Sequence, residues 1–379
     1  MSASPDGDIT TDPPQALDYA EEALVGGLLL DARQLDCVQE MLPEHLYRPA
    51  HSALFAAMRH LASACHPALG KRPTKEEEFA WVRDAVDVAA REVPGLAPSV
   101  AHTLIGRCPN PKNSATYARM VLAGHTRRLV EEHALRVVQA ATNLAHPDPV
   151  ETTCARIDQF TAALDDLARR WRPHPGSVPR SAPVDAPPAP PSEERLDDER
   201  MLLATAAAFP AAIPEIRRFL LPEDFADPLH AGVFAALTGL AHRGEPIDPV
   251  TILWETQHRR LLAPCGPYAP DRVLELFQPA AGDPDYWATR VVRSSLLQAA
   301  HHQARQVARL ANDTTLTPHQ LITGTRRALS DFTTVRNRWN RAQHTETSSS
   351  SKGPRRRPPP NDSKTTPHQA SRSTARSSR

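Results

Sequence analysis

Aromatic residues make up only 5% of this chain, so any core must be filled mainly by Ala and Leu. That composition favours helices, because strands draw on β-branched and aromatic side chains. The cysteines are few, odd in number and scattered, at Cys37, Cys65, Cys108, Cys154 and Cys265, with no Cys-x-x-Cys pair. A disulfide framework and a structural zinc site are therefore not expected. No apolar run approaches the ~20 residues needed to span a bilayer. Residues 1–15 lack the positively charged start and apolar stretch of a signal peptide, so they read as a disordered N-terminus on a cytoplasmic chain with no membrane partner. A phosphate-gripping loop is missing too. It needs a glycine five residues before a Gly-Lys pair and a hydroxyl after it. The Gly-Lys pair here is Gly70-Lys71, preceded by Cys65 and followed by Arg72.

What is abundant is proline, 38 residues in 379, much of it gathered in two stretches. Residues 173–192 centre on Pro187-Pro188-Ala189-Pro190-Pro191. Proline removes backbone donors and stops helices, so this is an extended linker, expected to insulate what lies on either side. Residues 340–379 are rich in Ser, Thr, Pro and Arg and cannot bury enough surface to offset ordering, so a disordered tail is expected. The formal net charge is zero, but this tail carries nine basic against two acidic residues and the body is correspondingly acidic. Any polyanion contact is thereby directed to the tail, with Lys352, Arg355, Arg356 and Arg357 as candidate nucleic-acid contacts. An equally plain reading makes those residues a solubilising tail.

The segments flanking the linker repeat each other. Leu42-Pro43-Glu44, Pro49, His51, Phe55-Ala56-Ala57 and Leu61-Ala62 recur 179 positions later as Leu221-Pro222-Glu223, Pro228, His230, Phe234-Ala235-Ala236 and Leu240-Ala241. Tyr117-Ala118 with Val121-Leu122 lines up with Trp287-Ala288 and Val291-Val292, and the copies close on Arg170-Trp171 and Arg338-Trp339. Within each copy the apolar period is helical. Ala50, Leu54, Met58 and Leu61 form one stripe, as do Leu229, Val233, Leu237 and Leu240. Each copy ends in a long pattern broken once, at about 115–143 and 151–171, then at 284–311 and 319–339. Ile157, Phe160, Leu164, Leu167 and Trp171 make the stripe of one such segment. The expected architecture is all-α. Two tandem small helical bundles, each followed by a helical hairpin, occupy 16–172 and 193–339.

These residues resemble the N-terminal domain of DnaB-type replicative DNA helicases. An Ala-Glu-rich first helix running into a glycine-containing apolar stretch is seen in Ala20-Glu21-Glu22-Ala23-Leu24-Val25-Gly26-Gly27. An acidic-aromatic step before a His-containing helix is seen in Pro222-Glu223-Asp224-Phe225 through His230. A Pro-Ile-Asp-x-x-Thr turn appears as Pro246 to Thr251, and a Tyr-Ala-x-x-Val helix as Tyr117 to Val121. The first copy lacks the Pro-Ile-Asp turn, with Arg72-Pro73-Thr74 and Glu76-Glu77-Glu78 in its place, and the second lacks the glycine pair. The resemblance implies a domain that self-associates and docks primase and loader proteins. It points to a non-catalytic replication adaptor, whose partner is a replicative helicase, a primase or a loader, or another copy of itself. An accessory protein binding nucleic acid non-specifically through its tail is the alternative reading. A helicase subunit is disfavoured, since a motor of at least ~200 residues would have to fit the last forty. No cofactor or catalytic constellation is expected.

Other residues have plain readings. His51 and His230 recur without spaced ligand partners, so local hydrogen bonding at a helix start is expected of both. His301-His302 are adjacent, point about 100° apart and cannot chelate as an i, i+4 pair would. Glu76-Glu77-Glu78 reads as a solvated helix start favoured by the helix dipole. Trp171 and Trp339 are expected to pack within their hairpins, and Phe55 and Phe234 to be buried in equivalent places.

Overall fold

A computed structural model describes residues 16–171, 173, 190–262, 265, 269–277 and 282–350, with side chains to residue 344. All regular elements among the described residues are helical. The first copy opens with α1 (Ala16–Leu30), whose residues Ala20 to Leu29 are all buried. A helix covered on every side has no polar face to show, so α1 is the axle of the bundle. Short 3-10 turns lead to α2 (Pro49–Ser63) and α3 (Lys75–Glu92); α4 (Pro98–Arg107) follows directly, and a further 3-10 turn leads to a hairpin of α5 (Ser114–Thr142) and α6 (Pro149–Arg170). Proline stands in the first turn of α2, α4 and α6, where its fixed φ suits a helix and its missing donor costs nothing.

The second copy follows the same order. It has α7 (Glu193–Ala208), the single turn α8 (Ile213–Ile216), α9 (Pro228–Arg243), α10 (Pro249–His258), α11 (Ala269–Glu275) and a hairpin of α12 (Pro284–Asn312) and α13 (Pro318–Ser350). Phe55 and Phe234 are both buried, each in the core of its own bundle. The copies diverge where their sequences do. A Cβ on Gly26 would lie 2.0 Å from the Leu104 carbonyl oxygen, so α4 lies directly against α1. Ala204 and Thr205 stand at the matching places in α7, and the matching helix α11 has only seven residues. Where the first copy lacks the Pro-Ile-Asp turn, Thr74 replaces Asp248 as cap. Thr74 Oγ1 accepts from Glu77 N while Glu77 caps the Thr74 amide, and Asp248 and Thr251 do the same for α10. The acidic run 76–78 is thus the first turn of α3.

The hairpins overturn the expectation of insulated halves. Val130, Ala134 and Val137 of α5 and Ile157, Phe160 and Leu164 of α6 share one core with α12 (Leu296, Ala300, Ala304, Val307) and α13 (Leu321, Leu329, Phe332). This is a four-helix bundle built half from each copy. The reason is that each hairpin carries an apolar stripe that its own bundle does not cover, and the other hairpin's stripe is the surface that covers it. Polar contacts fix the register. Arg127 on α5 donates to the carbonyls of Ala311, Asp313, Thr314 and Leu316 at the α12–α13 turn. Arg336 holds both oxygens of Asp158, at 2.6 and 3.0 Å. Arg326 reaches Asp165, and Asn312 reaches Glu131.

The second hairpin also runs past its expected end at 339, since α13 continues to Ser350. Arg338 pairs with Asp224 in the interior, and Ala342 is fully buried against the second bundle. The contacts that hold this helix are tertiary, which is why composition alone placed a tail there.

Candidate interaction surfaces

Two matching polar anchors hold the bundles in shape. In the first copy Glu21 on α1 lies 3.2 Å from His51 Nδ1 and accepts from the Tyr47 amide at 2.6 Å. In the second, Glu199 on α7 lies 2.8 Å from His230 Nδ1 and accepts from the Ala226 amide at 2.7 Å. All four side chains are buried. The histidines' partner is therefore a glutamate about 30 residues upstream and not a local backbone group. The carboxylate satisfies the free amides ahead of α2 and α9, which a buried helix start requires. These contacts tie α2 to α1 and α9 to α7 inside the two cores.

A second pair of equivalent places is filled differently. His45 stands where the second copy has Asp224, and His125 where it has Ser295. Both first members cap a turn, through Leu42 N to His45 Nδ1 at 3.0 Å and Leu221 N to Asp224 Oδ2 at 2.8 Å. Asp224 then takes Ser295 Oγ at 2.6 Å and the Arg338 guanidinium. Burial pushes Asp224 up, against the pull of these donors. In the first copy His45 packs against His125, with the rings tilted and their centroids 4.7 Å apart. Burial, His125 and the nearby Arg170 and Arg128 hold His45 down at about 4. Arg170 has no buried anion to meet and stays exposed, and α6 ends with it.

The outward faces of the bundles carry apolar groups. On α10, Asp248 Oδ1 caps the amides of Val250 and Thr251 at 2.8 and 2.9 Å and sets the helix phase. Ile252 and Thr256 then point inward, and Val250 and Trp254 are left 71% and 70% exposed on one side, four residues apart. On α3, Trp81, Ala85 and Ala89 point inward and Phe79 is 75% exposed. Single exposed apolar residues are ordinary, but a Val–Trp pair on one exposed helix face is what an interface anchor needs. Sequence reading missed these because α10 lacks a clean apolar stripe and the stripe of α3 does not by itself say which apolar residues stay uncovered. The capping boxes alone could have fixed their phase.

The other sequence candidates fall as follows. Lys352, Arg355, Arg356 and Arg357 lie outside the described residues, as do 1–15 and most of the linker. Trp171 donates to Thr126 Oγ1 at 2.9 Å, inside its own hairpin, and Trp339 packs where the second bundle meets the four-helix core. His301 and His302 are partly buried on α12. Among the described residues there is no group of three His, Cys, Asp or Glu side chains placed for a metal, and no helix is long and apolar enough to cross a membrane.

Residues 12–68 and 191–278 match the DnaB-like helicase N terminal domain family. The chain is 30% identical to the replicative DNA helicase DnaB of Geobacillus stearothermophilus over 115 residues, 30% of this chain and 25% of that protein. It is 33% identical to the replicative DNA helicase DnaB of Mycobacterium leprae (strain TN) over 144 residues, 36% of this chain and 21% of that protein. The replicative DNA helicase DnaC of Bacillus subtilis (strain 168) is 28% identical over 115 residues. The chain spans about a quarter of the length of the curated relatives it matches. Both halves of the chain carry a region similar to the helicase N-terminal domain.

Proposed function

We propose that this chain is a non-catalytic adaptor of DNA replication, acting in the cytoplasm as two helicase-type N-terminal domains paired within one polypeptide. The observation that carries the reading is the four-helix core. Each hairpin spends its apolar stripe on the other, so self-association is satisfied inside the chain. The faces with Val250, Trp254 and Phe79 stay free for a different protein. The relatives are named replicative helicases, which makes a helicase, its primase or its loader the fitting partner. Tethering two docking faces raises the strength of a paired contact without new contacts, because the second binding event becomes intramolecular. Catalysis is left to the partner, in keeping with a sequence that has no phosphate-gripping loop.

The test is capture from host lysate on the immobilised full chain, followed by direct titration of the retained replication protein. Retention of helicase, primase or loader is expected, as is at least about a tenfold weakening by Trp254→Asp with Val250→Asp, the scale of losing an interface anchor. Both positions are exposed, so the melting temperature should not move. Capture of none of the three overturns the reading, as does ATP hydrolysis that follows this chain through purification.

A further inference from the structure

A cavity of about 470 Å³ lies where the two copies meet, between the end of α5, the start of α7 and one face of α12. Its size falls within the range of small-molecule sites. Its lining is one-sided in charge. Arg195 comes from α7, and His301, His302, Arg305 and Arg309 come from α12, with no carboxylate among the lining residues. Ser294, Gln298, His301, Arg305 and Arg309 follow at helical spacing, so a single face of α12 presents the basic groups in a row. Leu144, Leu297 and Pro190 form an apolar wall.

Arg309 is the telling residue. Its Nε and Nη2 are buried without a hydrogen-bond partner. Buried donors left unmet in this way destabilise a fold, because desolvation is not offset by a bond. Five basic groups on one lining, with no carboxylate to offset them, fit a ligand that brings negative charge and acceptors.

We propose that this cavity binds a nucleoside phosphate, its phosphate on Arg305, Arg309 and His301 and its base or sugar on Leu144, Leu297 and Pro190. Guanidinium forks match phosphate oxygens in pairs, which favours phosphate over a lone carboxylate. The same chemistry is offered by a free nucleotide and by the phosphorylated end of a nucleic-acid strand. The site joins elements of both copies, so occupancy couples directly to their packing. Burial, Arg305 and His302 hold His301 below its usual range, and the other charged groups facing the cavity are Arg195 and Arg309. A bound anion favours the protonated ring, so binding takes up a proton and tightens as pH falls.

The experiment is calorimetric titration of the full chain with four probes: inorganic phosphate, adenosine 5′-diphosphate, and a thymidine tetranucleotide with and without a 5′-phosphate. Adenosine diphosphate should bind more tightly than inorganic phosphate. Arg305→Gln and Arg309→Met should each weaken it by at least about tenfold, as loss of a charge-assisted bond requires. Arg309→Met should leave the melting temperature unchanged or raise it, an outcome a structural arginine would not produce. Adenosine diphosphate as the best probe assigns a free nucleotide; the phosphorylated strand as the best probe assigns a strand end. The proposal is overturned if no phosphate probe binds at about 1 mM, the weak limit for a specific site. It is equally overturned if both variants bind as the wild type does, or if the unphosphorylated strand binds as well as the phosphorylated one.

Discussion

His45 and Asp224 cap the same turn in the two copies, and burial shifts the two groups in opposite directions. With burial first, then His125 and the arginines, holding His45 at about 4, its folded state is harder to protonate than the unfolded chain, where histidine titrates at about 6.5. The neutral ring's contribution is present above about pH 6.5 and is lost as pH falls toward 4. The melting temperature of the full chain should therefore fall between pH 7 and about pH 4.5 more steeply than that of His45→Asn, which keeps an acceptor for Leu42 N but cannot take a proton. Equal slopes in the two proteins would remove His45 from the account. His51 and His230 show what residue-level reading can and cannot reach. Their recurrence was legible, but their partners, Glu21 and Glu199, lie on another helix and no local spacing points to them.

Among the elements, α1 and its contact with α4 set the difference between the copies. Gly26→Ala drives a methyl into the Leu104 carbonyl, a backbone group that cannot move aside alone. Forcing a methyl into a packed contact typically costs about 1–3 kcal/mol. Gly106→Ala on α4 meets nothing within 4 Å and should be neutral or stabilising by up to about 1 kcal/mol, as expected for Ala over Gly in a helix. Thermal unfolding of the two single variants checks both signs. If Gly26→Ala melts like the wild type, α4 is not seated on α1 as described. Helix positions were largely legible from apolar period and proline punctuation, including α5, α6 and α12 to within a residue or two. The end of α13 was not, because Arg338 and Ala342 are held by the second bundle and not by their own sequence neighbours.

At the scale of the whole molecule, the shared core makes the linker a tether and not a spacer. If a protease site is introduced within residues 174–189 and cut, the halves should still elute as one particle on size exclusion, held by the stripes of α5, α6, α12 and α13. Adding Phe160→Asp should release them after cleavage, since a buried unpaired charge is strongly disfavoured. Halves that separate on cutting alone would show that the core is too weak to pair them. The sequence by itself determined the helical class, the duplication, the starts of several helices and the absence of a phosphate-gripping loop, because each is written in local spacing and residue type. Only the tertiary structure decided that the two hairpins cover each other, which faces of α3 and α10 remain outside, and that Arg195, His301, Arg305 and Arg309 line one cavity. Those depend on which apolar stripe finds which partner. That choice is made by surface burial between segments more than a hundred residues apart, and period and composition do not record it.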